Sequence, residues 1–341
     1  MAAVQPDYTV DGSTQALVSS VYRAILSPNS QNTLQPADVI AFLDQEMRTT
    51  IVPLVLAAQE EFWVTNYDQP VLQNVYNYTI PERAAFATWR DVVFVDRNNN
   101  ELNMSMLSPE YLKLTYPAGG NPPLYVFGFI LQNDQIILYP NTSGTPTQYR
   151  LRMKIKRRPN NLTEVTNCAQ VVAIDTTTNI VTVNAVPSAW TLTDTFDIIP
   201  NYPQFTSLRD NQTISALTSN TITFSSPGND PFTGQPISPL PYDTQRQIYT
   251  MKVGDWICPA QMSCIPQVPY DMFQMLVQRG AIRCLEALGD TQNLTVAERR
   301  YADMAVDFAR TVSPRIDGTP KKIVNRNTPP YWGSYGFPFQ R

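Results

Sequence analysis

The hydrophobic pattern of this chain is helical at both ends and alternating in the middle, and this order limits the possible folds more than any other feature. Apolar residues recur at helical spacing in Ser13–Leu26 and again from Pro36 to Val64, where Pro53 either lies in the first turn of a third helix or kinks one long helix. Helical spacing returns in 271–288 and 294–312, so helices are predicted at both ends of the chain.

Between these helical stretches the period is that of β-strands. Two hairpins are predicted, with polar turns at 96–100 and 133–134, and a further strand follows at 148–156. Residues 163–255 form a separate Thr- and Val-rich stretch, in which the similar motifs TNIVTV and SNTITF indicate paired hairpins of a small barrel.

The sequence therefore predicts an α+β fold. N- and C-terminal helices would pack as a helical bundle, with an antiparallel β domain and a further small β-barrel-like insertion between them, and an extended C-terminal tail would follow. The predicted divisions are 1–72 for the N-terminal helical part, 73–162 for the antiparallel β domain, 163–260 for the inserted small β module, 261–318 for the C-terminal helices that complete the bundle, and 319–341 for the extended docking tail.

The composition excludes several kinds of active site. The chain has no histidine, which removes the commonest general base and most zinc and copper sites. The four cysteines, Cys168, Cys258, Cys264 and Cys284, lie at spacings that match neither a CxxC motif nor a zinc ribbon. Free thiols in a reducing cytoplasm are predicted, with Cys284 in a helical core, and neither a metal nor a cofactor is expected.

The charge balance favours protein contacts over nucleic-acid binding. Charged residues make up 16% of the chain and the net charge is −4, so the chain has no overall basic field that would attract nucleic acid. Uncharged polar surfaces suit extensive subunit contacts, because interface cores are depleted of charge. No apolar run is long enough to span a membrane, and the first residues, MAAVQPDYTVDG, do not resemble a signal peptide. A protein made in a cytoplasm, without a membrane anchor, is expected.

One predicted strand, Gln148–Arg158, is strongly basic. Its period of two places five basic residues on one face and the apolar residues on the other. The basic residues are Arg150, Arg152, Lys154, Lys156 and Arg158. This face could contact phosphates or an acidic subunit surface, or it could be a solvated face balanced by neighbouring acids, and both interpretations stay open.

The C-terminal stretch Asn327–Gln340 is aromatic, rich in proline and uncharged. Such a segment has hydrophobic area to bury, whereas a tail that stays solvated is polar and charged. Docking on another chain is predicted, with folding back on its own domain as the alternative. The candidate docking residues are Pro329, Tyr331, Trp332, Tyr335, Phe337 and Phe339.

The order of several segments resembles the head-to-tail adaptor proteins of tailed bacteriophages, also called connector or neck proteins. The resemblance covers most of the chain and is weakest in Thr163–Asp255. It rests on patterns of hydrophobicity and turns rather than on a catalytic fingerprint. The segments are FLDQEMRTTIVPLVLAAQEEFW (Phe42–Trp63), YNYTIPERAAFATWRDVVFVD (Tyr76–Asp96), SPEYL (Ser108–Leu112), FGFILQNDQIILYP (Phe127–Pro140), KRRPNNL (Lys156–Leu162), IPQVPYDMFQMLVQRGAIRCLEALGD (Ile265–Asp290) and SPRIDGTPKKIVN (Ser313–Asn325).

This resemblance implies a virion structural protein without catalytic activity. Adaptors of this kind form a ring, usually dodecameric, below the portal vertex, and a C-terminal tail packs against the portal. The expected partners are the portal protein, neighbouring copies of the chain, and a downstream tail or nozzle protein, with transient passage of genomic DNA. The expected location is the neck of the virion, after synthesis in the host cytoplasm.

Two other functions are weighed against the adaptor. The first is a nucleic-acid-binding module that uses the basic strand 148–158. The second is a tail-associated hydrolase that uses carboxylates. The adjacent acids Glu60 and Glu61 lie on a predicted amphipathic helix and do not face each other, so a solvated helix surface explains them better.

Overall fold

The structure is a computed structural model of the 341-residue chain. It describes residues 12–25, 34–58, 62–72, 75, 77–96, 100–107, 128–132, 134–139, 149–176, 178–201, 207–226, 240 and 250–312.

Helix α1 spans Thr14–Ile25 and helix α2 spans Pro36–Glu46, close to the predicted bounds. Ser13 accepts a hydrogen bond from the backbone N–H of Ala16 at 3.4 Å, which satisfies one of the amides that the first turn leaves without a partner. Pro36 stands at the start of α2, where its missing N–H removes no helical bond.

The chain continues from α2 without a break, through a π-helical segment, Met47–Ile51, into helix α3, Val52–Ala58. Of the two interpretations of Pro53, one long interrupted helix is therefore the observed one. Proline cannot donate a backbone hydrogen bond, and the wider π turn lies directly before it. The helix was predicted to run to Val64, and this was wrong, because Val64 begins a strand.

Two helices close the described part of the chain. A 3₁₀ turn at Tyr270–Met272 leads into α4, Phe273–Leu288, which ends at Gly289 with φ of 72°. Glycine adopts this left-handed conformation without the strain that a side chain adds. Helix α5 spans Thr291–Val312 and begins earlier than predicted, because Asp290 accepts the N–H of Asn293 at 3.1 Å and caps it.

The N-terminal and C-terminal helices share one hydrophobic core. Helix α4 lies at its centre and contacts α1, α2 and α5. Close approach depends on Gly280, because a Cβ atom there would lie 2.6 Å from Cδ2 of Leu43 and 3.3 Å from Cγ2 of Val21. Cys284 is fully buried in this core, which confirms its predicted place.

The last residue of α2, Glu46, is a fully buried acid that ties the helices together. Its carboxylate accepts hydrogen bonds from Nε of Arg279 at 2.7 Å, from Nε of Arg283, and from the hydroxyl of Thr50 at 2.8 Å. Burial by itself raises the pKa of Glu46, and these hydrogen bonds outweigh it, so the pKa lies below its ordinary value.

Two four-stranded sheets form the β domain that follows. One has the strand order β1-β8-β3-β4 and the other β2-β7-β6-β5. Most pairs are antiparallel, as predicted, and β5 with β6 is parallel. The strands are β1 (Val64–Pro70), β2 (Asn77–Thr79), β3 (Ala84–Val95), β4 (Glu101–Asn103), β5 (Ser105–Met106), β6 (Gly128–Gln132), β7 (Gln135–Tyr139) and β8 (Arg150–Arg157).

Six further strands close into a barrel, in the order β10-β11-β14-β13-β12-β15. The two similar motifs seen in the sequence become β11 and β14, which pair directly through Val181 and Ile222. The barrel strands are β10 (Ala169–Asp175), β11 (Ile180–Val183), β12 (Thr195–Ile199), β13 (Arg209–Leu217), β14 (Thr221–Phe224) and β15 (Trp256–Pro259).

A short parallel pair marks the base of the barrel. Strand β9, Asn161–Leu162, enters the barrel and lies beside β16, Met262–Ser263, which leaves it. The predicted α+β class, with antiparallel sheets and a small barrel, is confirmed. Among the described residues, no helix is both long and apolar enough to cross a membrane.

Candidate functional site: the basic strand, the ionic junction and the thiol cluster

The predicted docking residues of the C-terminal tail, Pro329 to Phe339, lie outside the described residues, as do Glu60 and Glu61. The basic strand is described from Tyr149 to Arg158, as β8 with one residue on either side, and Gln148 lies outside the described residues.

Strand β8 has the two faces that its sequence predicts. Leu151, Met153 and Ile155 are buried at 2% exposure or less. The alternate positions Arg150 to Lys156 are half-buried on the other face, and Arg158, directly after the strand, is exposed. The central position of β8, between β1 and β3, fixes this register.

Acidic residues of β1 and β4 compensate the charges at the centre of the basic face. Arg152 binds Asp68 of β1 with two hydrogen bonds, Nε to Oδ1 at 2.7 Å and Nη2 to Oδ2 at 2.8 Å. Its third nitrogen, Nη1, reaches Oε1 of Glu101 in β4 at 3.0 Å. Lys154 Nζ lies 2.7 Å from Oε2 of Glu101. Cross-strand pairs of opposite charge stabilise the sheet.

The pKa shifts of this face follow from the same contacts. Hydrogen bonds from Lys154 and then Arg152 hold the pKa of Glu101 below its ordinary value. The hydrogen bond to Asp68 is the main cause that raises the pKa of Arg152. A phosphate would have to replace these carboxylates to bind here, so the geometry favours the interpretation of a balanced face over that of a nucleic-acid surface.

Arg157 belongs to the apolar face of β8 and is buried, with 4% of its surface exposed. Its Nη2 lies 2.8 Å from Oδ1 of Asp210 in β13 and 3.0 Å from Oδ1 of Asn160. A buried guanidinium costs free energy unless such partners surround it. The strand thus ends in a connection to the barrel.

Asp197 of β12 is the fully buried acceptor at the centre of this connection. Arg83, just before β3, places Nη1 2.9 Å from Oδ2 and Nη2 3.0 Å from Oδ1. Asn160 donates to Oδ2 at 2.7 Å, and the backbone N–H groups of Asn211 and Gln261 donate at 2.9 Å each. The carboxylate is therefore bound on both oxygens.

We name this group of side chains the ionic junction, defined as Arg83, Arg157, Asn160, Asp197 and Asp210. It joins the two long strands of the β domain to two strands of the barrel. The buried Gln267 extends it, since Oε1 accepts the backbone N–H of Asn160 at 2.8 Å and the Gln267 backbone carbonyl accepts Nε1–H of Trp63 at 3.0 Å. The junction fixes the barrel relative to the rest of the chain.

Sequence reasoning missed the ionic junction. Its two arginines lie 40 to 127 residues from its two aspartates in the sequence, and no local spacing relates them. Arg157 was the available signal, because it is a charged residue at an apolar position of β8. Such a position implies a buried partner, and its identity follows only from the fold.

Three of the four cysteines converge at the base of the barrel. Cys168 lies just before β10, Cys258 in β15 and Cys264 just after β16, and all three are buried at 4% exposure or less. The Sγ atoms of Cys258 and Cys264 are 4.0 Å apart, and the three Sγ atoms all lie within 4.8 Å of one another. We call this group the thiol cluster.

The surroundings of the thiol cluster are apolar. Ile199, Trp256 and Ile265 pack around it. Burial raises the pKa of the Cys258 and Cys264 thiols, whereas hydrogen bonds from these two thiols lower the pKa of Cys168 to about 5. The sequence missed this group as well, because 90 residues separate its first two members.

No protein-family model matches this chain, and a search of the curated proteins finds no match either.

Proposed function

We propose that this protein is a head-to-tail adaptor of a tailed bacteriophage, a structural component that forms a ring between portal and tail and lets genomic DNA pass. The observation that carries the proposal is the shared core of the terminal helices, with two β units between these helices in the chain. The resemblance of the sequence to adaptor proteins implies the same arrangement, in which these helices would form the adaptor's helical bundle.

The ends of the chain support this assignment. Helix α5 packs on α4 at the edge of the helical core, and the uncharged aromatic segment of the sequence follows it. Along α5, Tyr301 and Phe308 pack against the core, while Val296 and Val306 are 52% and 49% exposed. In a ring, these exposed apolar side chains would contact a neighbouring copy, and the aromatic segment would contact the portal.

The compensated basic face also fits a conduit. A channel through which DNA moves should not bind it tightly, and affinity for duplex DNA grows with each phosphate that a lysine or arginine neutralises. In β8 the charges of Arg152 and Lys154 are already balanced by Asp68 and Glu101. These residues are proposed to stiffen the sheet and not to hold the genome.

The test is a binding experiment with the cognate portal ring. Purified full-length chain is mixed with portal, and the mass of the complex is measured by light scattering and analytical ultracentrifugation. A monomer that gains ring mass only with portal is expected. A variant in which Tyr331, Trp332, Tyr335, Phe337 and Phe339 are all replaced by serine should lose the complex, because the area that docking buries is removed.

The matched control replaces Lys321 and Lys322 by alanine, which changes the charge of the same tail and leaves its aromatic residues in place. This control should bind portal like the original chain. Equal portal binding by the serine variant and the original chain would refute the docking role of the tail. A chain that ignores portal but shifts on duplex DNA at low salt would refute the adaptor and support the nucleic-acid-binding module.

A further inference from the structure

The thiol cluster lies where the barrel joins the rest of the protein. Cys168 stands on the connection that enters the barrel, and Cys264 on the connection that leaves it. The third member, Cys258, lies in β15. The residue before it, Ile257, pairs with Ala169 at the start of β10. Three segments of the fold are thus held side by side, each with a thiol directed to the same place.

The spacing of the sulfur atoms suits a shared metal ion. Sulfur atoms bound to one Zn²⁺ at about 2.3 Å lie about 3.8 Å apart in a tetrahedral site and about 4.0 Å apart in a trigonal one. The Sγ atoms of Cys258 and Cys264 are already 4.0 Å apart, and no pair in the cluster exceeds 4.8 Å. A contraction of about 1 Å or less would bring all three sulfurs to bonding distance.

We propose that Cys168, Cys258 and Cys264 form a metal site for a thiophilic ion, and that this ion is Zn²⁺. Three thiolates are a soft donor set, which selects zinc and copper(I) over magnesium or calcium. A divalent ion leaves one net negative charge among apolar neighbours, whereas a monovalent ion leaves two, and this difference favours zinc. The fourth position of the zinc remains for water or another ligand.

A disulfide explains the cluster less well. A bond between Cys258 and Cys264 needs their sulfurs at about 2.05 Å, and it leaves the thiol of Cys168 unused in a buried site. A metal ion uses all three thiols. Binding releases a proton from each cysteine that is still a thiol, and affinity therefore rises with pH.

The proposed ion would link the chain segment that enters the barrel to the segment that leaves it. Among the described strands, β9 and β16 form the only backbone pairing that joins these two segments directly. Bonds from the three cysteine sulfurs to one ion would stabilise the folded state, because the unfolded chain offers no preformed metal site. This proposal is independent of the adaptor function and would hold for a chain with another partner.

The experiment uses the full-length chain produced in zinc-supplemented medium and purified under reducing conditions without chelator. Elemental analysis should find about one zinc ion per chain. Cobalt(II) added to the metal-free chain should give a thiolate-to-metal charge-transfer band, a readout that needs no variant.

The variants are Cys168→Ala and, as a matched control, Cys284→Ala, which removes a buried thiol that belongs to the helical core and not to the thiol cluster. The control should keep its zinc, and Cys168→Ala should lose at least tenfold in metal content. Chelator should lower the melting temperature of the control and leave that of Cys168→Ala unchanged. A zinc content below about a tenth of an ion per chain without a cobalt band, a Cys258–Cys264 disulfide in the reduced preparation, or equal metal in both variants would overturn the proposal.

Discussion

Replacement of Asp197 by alanine should be among the most destabilising single changes in the described part of this protein. The Asp197 side chain is 0% exposed, and its two oxygens accept hydrogen bonds from Arg83, Asn160 and two backbone N–H groups. Loss of one partner of a buried ion pair costs about 3–5 kcal/mol, because the other charge stays buried without compensation.

The magnitude can be bounded from the contacts. Arg83 keeps one carboxylate partner in the variant, since its Nη1 also lies 2.9 Å from Oδ1 of Asp210. The amide of Asn160 keeps the carbonyl of Met262 at 3.0 Å but loses its charged acceptor. The backbone amides of Asn211 and Gln261 lose their acceptor, at about 1–3 kcal/mol for each buried donor that finds no new partner. These contributions are not additive, so a loss of about 4 kcal/mol is expected.

The matched control is Asp68→Ala. Asp68 also makes a two-bond pair, with Arg152 at 2.7 and 2.8 Å, but its side chain is 26% exposed. Pairs open to solvent contribute about 0–1 kcal/mol. The two substitutions therefore remove the same chemical group and a comparable ion pair, and they differ in burial.

The assay is urea denaturation at constant pH, followed by tryptophan fluorescence and circular dichroism to detect separate unfolding of the barrel. If Asp197→Ala does not fold, Asp197→Asn keeps the volume and one acceptor and should lie between the alanine variant and the original chain. An Asp197→Ala variant within about 0.5 kcal/mol of Asp68→Ala would refute the argument that burial gives the junction its strength.

Three further predictions concern other parts of the molecule. Gly128→Ala should destabilise the β domain by about 1–3 kcal/mol, since its Cβ would lie 2.7 Å from the backbone oxygen of Ser105; an unchanged melting curve would contradict this. The lowered pKa of Glu46 means that stability is lost as pH falls below its ordinary value of 4.5, and Glu46→Gln should flatten this acid limb, as urea titrations from pH 3 to 6 can measure. Arg152→Ala should leave retention on a duplex DNA column unchanged at low salt, whereas weaker retention would support the nucleic-acid-binding module.

Local patterns were predictable where short-range physics decides them. The helix that starts at Pro36 and the helix that stops at Gly289 lie close to the predicted positions, because proline and glycine limit the backbone in ways that do not depend on the fold. The two faces of β8 follow from its period of two. The helix predicted to reach Val64 failed, because pairing with β8 outweighs the helical pattern of the preceding residues.

The candidate sites were less predictable, since each is assembled from distant segments. The arrangement around Asp197 brings together residues from the β domain, the barrel and the turn between β15 and β16. The three cysteines carry no local motif, and only the closure of the barrel places Cys168 beside Cys258. The compensation of Arg152 by Asp68 required β1, which the sequence pattern did not indicate.

The shared core of the terminal helices has a consequence for the order of folding during synthesis. Val55 at the end of the N-terminal part and Met272 at the start of the C-terminal part belong to the same core. At about 5–20 residues per second, the ribosome needs roughly 10–45 s to travel from one to the other. The barrel strands, all between Ala169 and Pro259, emerge completely within that interval and can fold first. The N-terminal helices meanwhile present their apolar faces without a partner, and the last helices of the described chain to emerge cover them.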